Sequence, residues 1–180
     1  MRLYDSMPDK KEITRRIEDY RNSESGSLNL SNLNMTELPD EIAELKNLIS
    51  LDVSYNHLRT IPDWICFHRS LIKINLRGNS INTLPDSFAE LKKLRFLDIG
   101  INGFKSVEFE KISECLKKLE LLEHLDLEAV NIKTLPYWIG DFPNLEFLNL
   151  RYCELNTLPD TIKKLVNLKT FYLGFLKELI

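Results

Sequence analysis

The stretch that decides the fold is LIKINLRGNSINTLPDSF, residues 71–88. Its first half alternates apolar and polar residues, and a period of two places alternate side chains on opposite faces of a β-strand. Its second half contains Pro85, which fixes the backbone where the chain begins to return. The stretch therefore predicts a short strand followed by a segment that leads the chain back around the outside.

The same pattern recurs along nearly all of the 180 residues. Close copies are LISLDVSYNHLRTIPDWI at 48–65, LEHLDLEAVNIKTLPYWI at 122–139 and LEFLNLRYCELNTLPDTI at 145–162. The spacing between copies is 23 residues, except that Leu94 and Leu122 are 28 residues apart. No single unit can bury its own leucines, so the pattern predicts stacked units that stabilise one another.

These units match the signature LxxLxLxxN/CxL, and the chain resembles the leucine-rich-repeat proteins. The second half of each unit, LPxxIxxLxxL, is similar to a subclass found in bacterial repeat proteins and in Ras-associated scaffolds. The resemblance implies an α/β fold, a right-handed horseshoe-shaped solenoid with a parallel concave sheet, a convex side of 3-10 and short helical turns, and an N-terminal capping helix. We expect the cap at residues 1–24 and the repeat domain at 25–180, with repeats starting near residues 25, 48, 71, 94, 122, 145 and, for a partial one, 168.

The polar position of the signature is filled unevenly. In the family its asparagine turns inward and satisfies backbone groups of the loop after the strand. Valine cannot replace those hydrogen bonds and cysteine does so only weakly, so we expect an asparagine ladder in the first half and less tightly held loops in the second. The position is occupied in turn by Leu33, Asn56, Asn79, Asn102, Val130, Cys153 and Leu176.

The N-terminal segment predicts a helix with one apolar stripe, at Ile13, Ile17 and Tyr20. Ser6 and Asp9 resemble a capping box ahead of it, and Gly26 marks the break before the first strand. We interpret the helix as a cap over the leucines of the first repeat. The alternative is a basic amphipathic helix that meets a membrane or a partner. Its stripe is narrow and its basic residues are mixed with acidic ones, which favours the cap.

The opposite end shows no comparable polar cap. After Leu173 the sequence reads GFLKELI, in which Leu176, Leu179 and Ile180 are apolar. Either these residues fold over the last repeat or another molecule covers it. Self-association through this uncapped C-terminal repeat is the resulting prediction.

Composition argues against several kinds of partner. The net charge of −3 argues against nucleic-acid binding, and no apolar run approaches the 18 residues of a membrane span. The N-terminus lacks the apolar core of a secretory signal. Cys66, Cys115 and Cys153 lie in different repeats without CxxC spacing, as expected of reduced thiols. We therefore expect a cytoplasmic protein without cofactor or metal, and unconventional secretion as an effector stays open.

The concave face is the surface on which we expect a protein partner to bind. Its later repeats carry aromatic rings, and rings and arginines are enriched at interface hot spots. The alternative is that the rings stack on one another along neighbouring strands, about 4.8 Å apart. Neighbouring aspartates there would also repel unless a basic side chain lay between them. The candidate partner-binding residues are Tyr55, Arg77, Phe96, Asp98, His124, Asp126, Glu128, Phe147, Arg151, Tyr152 and Tyr172.

Catalytic signatures are missing from the sequence, so we predict that the chain is not an enzyme. His124 near Asp98 and Asp126 would form an acid/base pair, but an open sheet leaves water at the site and supplies no nucleophile. His68 stands where other copies have a large apolar residue, and we interpret it as a histidine whose ring nitrogens are satisfied. The equivalent residues are Leu45, Leu91, Phe142 and Leu165.

Two functions remain. The first is a protein-binding module that acts as an adaptor, effector or inhibitor. The second is a substrate-recognition or regulatory component of an enzyme complex whose catalytic part is on another chain, since similar repeats occur beside ligase and GTPase domains. The sequence contains no trace of such a domain, which favours the first.

The long repeat, which starts at Leu94, differs in its return segment. Glu108 stands where its siblings have proline, and the apolar residues that follow it, Phe109, Ile112, Leu116 and Leu119, keep a helical spacing. This predicts a true α-helix within residues 108–119 on the convex side, where the shorter repeats should form 3-10 turns. We expect the larger element to act as a wedge that bends the solenoid locally.

Overall fold

The computed structural model describes residues 7–174, with all side chains in that range except those of 106–108. Within it, seven short strands form one sheet in which each strand is hydrogen-bonded to the next along the chain. All neighbouring pairs are parallel. The strands are β1 (Ser27–Asn29), β2 (Ser50–Asp52), β3 (Lys73–Asn75), β4 (Phe96–Asp98), β5 (His124–Asp126), β6 (Phe147–Leu150) and β7 (Thr170–Leu173).

The register of the sheet follows the repeat. Ser27 pairs with Ser50, and Ser50 pairs with Lys73, so equivalent residues of successive repeats lie side by side. The longer repeat keeps the same register, because Phe96 pairs with His124. Equivalent residues therefore form rows across the strands, and the extra residues are absorbed outside the sheet.

The return segments are 3-10 helices, as the sequence predicts. Each begins directly after the proline of its repeat, whose φ lies between −61° and −70°. Ring closure holds proline at such angles, so the proline presets the entry into the turn. The five segments are Asp40–Glu44, Asp63–Phe67, Asp86–Glu90, Tyr137–Asp141 and Asp160–Lys164.

The helix predicted in the long repeat is present as α2 (Ser106–Leu116). It begins two residues before the predicted segment and ends three residues before its end. The apolar spacing was nevertheless correct, because Phe109, Ile112, Leu116 and Leu119 are all buried. Leu119 lies past the helix in a tight turn, where its N–H donates to the carbonyl of Leu116. Apolar spacing identifies the buried face but does not fix where the last helical turn tightens.

The N-terminal helix α1 (Lys10–Arg21) is also present, with Ile13, Ile17 and Tyr20 buried. Asp9 caps it, since its carboxylate accepts a hydrogen bond from the N–H of Glu12. Arg16 donates to the carbonyls of Asn29 and Ser31 at 3.3 Å. The helix thus covers the outer edge of β1 with both apolar and charged contacts. Ser6, the other half of the predicted capping box, lies outside the described residues.

The asparagine ladder is confirmed. The amide of Asn56 donates to the carbonyls of Leu30 and Val53 at 2.9 Å, and its oxygen accepts from Leu33 and Met35 N–H groups at 3.0 Å. Asn79 and Asn102 donate to backbone carbonyls of two successive repeats in the same way. In the second half Val130 is buried, and the Cys153 thiol donates to the Leu127 carbonyl. That the second-half loops are looser remains a prediction.

The core is one continuous cluster, mostly of leucines and isoleucines, between the sheet and the return segments. It is less well covered at β7, where Phe171 is 38% exposed although its neighbour Leu148 is fully buried. The residues named in the self-association prediction, Leu176, Leu179 and Ile180, lie outside the described part of the chain. Neither α1 nor α2, the helices found within residues 7–174, has the length and apolar character that crossing a bilayer requires. We call the side of the sheet that faces away from the core the concave face.

Candidate functional site

Three aromatic rings form a stack across the concave face. The ring centres of Phe96 and His124 are 4.0 Å apart, and those of His124 and Phe147 are 3.9 Å apart, with nearly parallel planes. The strand register explains this, because these residues pair directly across β4, β5 and β6. We call Phe96, His124 and Phe147 the ring stack. Stacking between neighbouring strands, which the sequence left as one of two alternatives, is therefore present, and the stacked rings are half-buried.

Cations lie at both ends of this aromatic row. Lys73 Nζ lies 4.5 Å from the centre of the Phe96 ring. At the other end Tyr172 meets Phe147 edge-on at 5.7 Å, and the Arg151 guanidinium lies 3.8 Å above the Tyr172 ring. Burial lowers the pKa of His124 to about 4, so the imidazole is neutral at neutral pH. A neutral imidazole suits a position between two phenyl rings.

The polar row beside the ring stack accepts hydrogen bonds from backbone N–H groups, and its residues are Asn29, Asp52, Asn75, Asp98, Asp126 and Asn149. Asp98 Oδ1 accepts the Gly100 N–H, and Asp126 Oδ1 accepts the Glu128 N–H, both at 2.9 Å. Asn149 makes the same contact with the N–H of Arg151. An aspartate or asparagine here closes the turn that follows the strand. Asp98 and Asp126 are only 6% exposed, so little of either side chain is available for direct contact with another molecule.

Arg77 reaches across β4 to join three carboxylates. Its Nη1 lies 3.7 Å from Asp98 and 3.6 Å from Asp126, and its Nη2 donates to Glu128 at 2.8 Å. Gly100 makes room for it, because a Cβ at that position would lie 2.9 Å from Arg77 Nη1. We call Arg77, Asp98, Asp126 and Glu128 the central cluster.

Electrostatics within the central cluster are uneven. Burial, followed by the charge of Asp126, raises the pKa of Asp98 to about 6. Burial alone would also raise the pKa of Glu128, but the hydrogen bond from Arg77 and its charge leave that pKa below the ordinary value. The Arg77 guanidinium therefore interacts most strongly with Glu128, to which it donates a hydrogen bond. It interacts more weakly with Asp98 and Asp126, which lie farther away.

Exposed apolar side chains line the rim where the strands end. Tyr55 is 50% exposed, Ile101 42% and Tyr152 76%, and all three adopt a left-handed backbone with φ between 51° and 57°. The same position in the two intervening repeats holds Gly78 and Ala129. Tyr55 lies over Gly78, where a Cβ would meet its ring at 2.6 Å, and its hydroxyl accepts a hydrogen bond from Arg77 Nε. We call Tyr55, Ile101 and Tyr152 the rim.

Sequence reasoning placed every candidate residue on this face but did not select Ile101 as a candidate. The structure divides the candidates into the ring stack with Tyr172 and Arg151, the central cluster, and the rim. Ile101 joins the rim because it precedes the motif asparagine, a position that is left-handed in Asn32, Tyr55 and Tyr152 as well. An isoleucine at that position was the signal that could have identified it.

The proposed interpretation of His68 was wrong in one respect. It is buried on the outer, convex side of the repeat, as expected, but its Nε2 has no hydrogen-bond partner among the described residues. Burial lowers the pKa of His68, and the backbone of Ile42 opposes this only in part. Within residues 7–174, no group of three or more His, Cys, Asp or Glu side chains is arranged to hold a metal ion.

A family model described as Leucine Rich Repeat matches residues 47–67, 70–91 and 144–165. The chain is built from leucine-rich repeats. The matched segments agree with the parallel strands and proline-initiated turns described above, and they leave the long repeat unmatched. None of the curated proteins compared with this leucine-rich-repeat chain matches it.

Solved structures that are similar to this chain include bacterial and plant proteins. The leucine-rich repeat domain of the type III effector XopL is 23% identical, with a TM-score of 0.72, over 91% of this chain and 57% of that one. The plant peptide hormone receptor RGFR1 in complex with RGF2 is 23% identical, with a TM-score of 0.64, over 78% of this chain and 23% of that one. A leucine-rich-repeat protein of Leptospira interrogans is 22% identical, with a TM-score of 0.49, over 92% and 58% of the two chains. This leucine-rich-repeat chain thus spans less than two thirds of each.

Proposed function

We propose that this leucine-rich-repeat chain is a protein-protein interaction module that holds its partner on the concave face. The observation that carries the proposal is the rim. A left-handed backbone disfavours side chains with a Cβ, by about 1–2 kcal/mol per residue, and a β-branched isoleucine is an outlier there. Ile101 at φ 51° is nevertheless exposed, so neither packing nor backbone geometry explains its identity. Contact with a partner would explain it.

The ring stack and the rim supply different parts of such an interface. Tyr55 and Tyr152 are exposed enough to be covered by a partner, and tyrosine is common among residues that dominate binding energy. Phe96, His124 and Phe147 form a rigid, half-buried floor beside them. Stacking has already fixed these rings, so a partner would lose little additional side-chain entropy in covering them.

Similar structures support an interaction role without naming the partner. XopL is described as a type III effector, and RGFR1 as a receptor in complex with RGF2. Fold likeness at this level of identity does not transfer a ligand. A cytoplasmic setting is part of the proposal, and it is supported by Cys66, Cys115 and Cys153, all buried free thiols.

The chain offers a matched pair of tyrosines for the experiment. Tyr152 on the concave rim is 76% exposed, and Tyr137 in a convex 3-10 helix is 75% exposed. We expect Tyr152→Ser to reduce capture of the partner from the source cell by about tenfold or more, equivalent to about 1.4 kcal/mol. Tyr137→Ser should leave capture unchanged.

If Tyr137→Ser abolishes capture of the partner while Tyr152→Ser still captures it, the proposal is contradicted. A photo-crosslinking residue at position 152, with position 137 as control, identifies the captured chain. Its identity also tests the alternative function, since a catalytic subunit would make this chain a recognition component of an enzyme complex. The double variant Phe147→Ala with Arg151→Ala extends the test to the floor of the site.

A further inference from the structure

Three aspartates of the concave polar row have different neighbours. Asp52 receives a hydrogen bond from the side-chain amide of Asn75 at 3.1 Å. Asp126 receives one from the amide of Asn149 at 3.0 Å. Between Asp98 and Asp126, which pair directly across β4 and β5, no amide intervenes because both residues are acids. At this one junction the strand register places two buried carboxylates side by side.

The nearby guanidinium does not fully replace the missing amide. Arg77 Nη1 stays 3.6–3.7 Å from both aspartates, beyond ordinary hydrogen-bond length. Its hydrogen bonds go to Glu128 at 2.8 Å and to the Tyr55 hydroxyl at 3.2 Å. One positive charge therefore faces three carboxylates in the central cluster. Like charges in such a buried site resist ionising together.

The other charged and titratable groups around Asp98 do not remove this excess. On β5 the His124 ring is neutral, because burial lowers its pKa to about 4. Lys73 lies over the Phe96 ring, and Arg151 lies over the Tyr172 ring, from where its charge helps to lower the pKa of Glu128. Asp126 at the end of β5 and Glu128 in the turn that follows it add negative charge. The pKa of Asp98 is accordingly raised to about 6, first by burial and then by Asp126.

We propose that Asp98 and Asp126 share one proton at mildly acidic pH, and that this proton regulates binding on the concave face. The protonated carboxyl donates its O–H to the neighbouring carboxylate, in the role that Asn75 and Asn149 amides fill elsewhere. The concave face then carries one negative charge less, directly beneath Arg77. The regulatory half of this inference rests on the proposed function, whereas the shared proton does not.

The shared proton is tested on the free chain by following the aspartate carboxyl carbons with ¹³C NMR as pH is varied. We expect one resonance to titrate near pH 6 in the wild type and to be missing in Asp98→Asn. Asp52→Asn is the matched control, because it changes the same row where an amide already bridges the pair, and the resonance should persist.

Stability gives a second readout with a definite sign. A raised pKa means that the folded chain binds a proton more readily than the unfolded one, so the Asp98 contribution to stability grows as pH falls through about 6. As the pH is lowered from 7.5 to 5.5, the urea midpoint of the wild type should therefore rise relative to that of Asp98→Asn. Relative to the midpoint of Asp52→Asn, it should rise far less. If all aspartate carbons complete their titration below about pH 5, the shared proton is wrong. If Asp98→Asn does not fold, the NMR titration of the wild type still decides whether a carboxyl binds a proton near pH 6.

The regulatory half is tested separately once a partner has been captured. Affinity should change with pH near 6 in the wild type and stay level in Asp98→Asn. A pH-independent affinity beside a confirmed carboxyl titration would overturn regulation alone. Failure of Tyr152→Ser to weaken binding would overturn the concave-face proposal and leave the shared proton intact.

Discussion

At the level of single residues, His68 brings a polar atom into an apolar position. The residue is 8% exposed and its Nε2 is unpaired within the described structure, at a place where Leu45 and Leu91 fill the core. A buried polar group without a partner costs about 1–3 kcal/mol. The neighbouring repeats show that a leucine is accommodated at this position.

We therefore expect His68→Leu to stabilise the chain by about 1 kcal/mol, after allowing for the contact with the Ile42 backbone. The gain should be larger at pH 5.5 than at pH 7.5. The pKa of His68 is lowered by burial, so below about 6.5 the unfolded chain takes up a proton that the folded chain resists. Urea denaturation at the two pH values measures this.

His57, which is exposed, provides the control. Its replacement by leucine should change the unfolding free energy by no more than about 0.5 kcal/mol. A lower stability of His68→Leu at both pH values would show that Nε2 is satisfied in solution, by a buried water for instance.

Alternation predicted which strand residues lie on the concave face, because with a period of two each side chain points to one face of the sheet or to the other. It did not predict that Arg77 crosses β4, since this depends on the space above Gly100 and on a side-chain conformation. It also gave the ring stack only as one of two alternatives. Register decides whether rings from different repeats meet, and register is a property of the assembled sheet.

At the level of elements, the 3-10 return segments differ in how closely they pack. Gly140 lies in Tyr137–Asp141, and a Cβ there would be 2.2 Å from the carbonyl oxygen of Thr161 in the next segment. The corresponding residues of two earlier repeats are Ala43 and Ala89. The last two return segments thus approach each other more closely than a methyl group allows.

Gly140→Ala should consequently destabilise the chain by about 2 kcal/mol, because backbone must shift to admit the methyl group. The reverse change at the equivalent place, Ala43→Gly, serves as control and should cost less than about 1 kcal/mol. Chemical denaturation of both variants provides the comparison. Equal and small effects would indicate that the return segments adjust freely.

The type of each element followed from the sequence more reliably than its ends. Proline at the start of five return segments predicted 3-10 turns, and its replacement by Glu108 in the long repeat accompanied a true helix. The stripe through Leu119 extended the predicted helix too far, because a turn can continue the same buried face. No local pattern separates those two outcomes.

At the scale of the whole molecule, stability depends on contacts between neighbouring repeats, so the ends need covering. Within the described residues α1 supplies this at β1, through Ile13, Ile17 and the Tyr20 hydroxyl, which donates to the carbonyl of Lys46. A substitution that destabilises α1 should therefore lower the local stability of the first repeats most and that of the later repeats least.

Ile17→Ala is expected to lower the unfolding free energy by about 3 kcal/mol, since it removes a buried side chain. Hydrogen exchange should show the greatest loss of protection in β1 and β2, with little change in β5 and β6. Thr14→Ala, on the exposed face of α1, is the control and should alter neither quantity appreciably. A uniform loss of protection across all strands would mean that the chain unfolds as one unit instead.

The period of the sequence predicted the whole architecture, because identical units with one buried face have few ways to assemble. The period does not predict the identity of the proposed partner. The candidate contact residues Tyr152 and Ile101 are exposed, so packing of the fold does not determine which side chains stand there.

The space above Gly100 also limits how these repeats can be rearranged. Arg77 belongs to the third repeat, Gly100 to the fourth and Glu128 to the fifth, yet the guanidinium needs all three at once. Duplicating, deleting or swapping any one of these units would leave an unpaired charge or a collision. For recombination or grafting, the transferable module is thus a block of three consecutive repeats, even though the sequence pattern recurs in every single repeat.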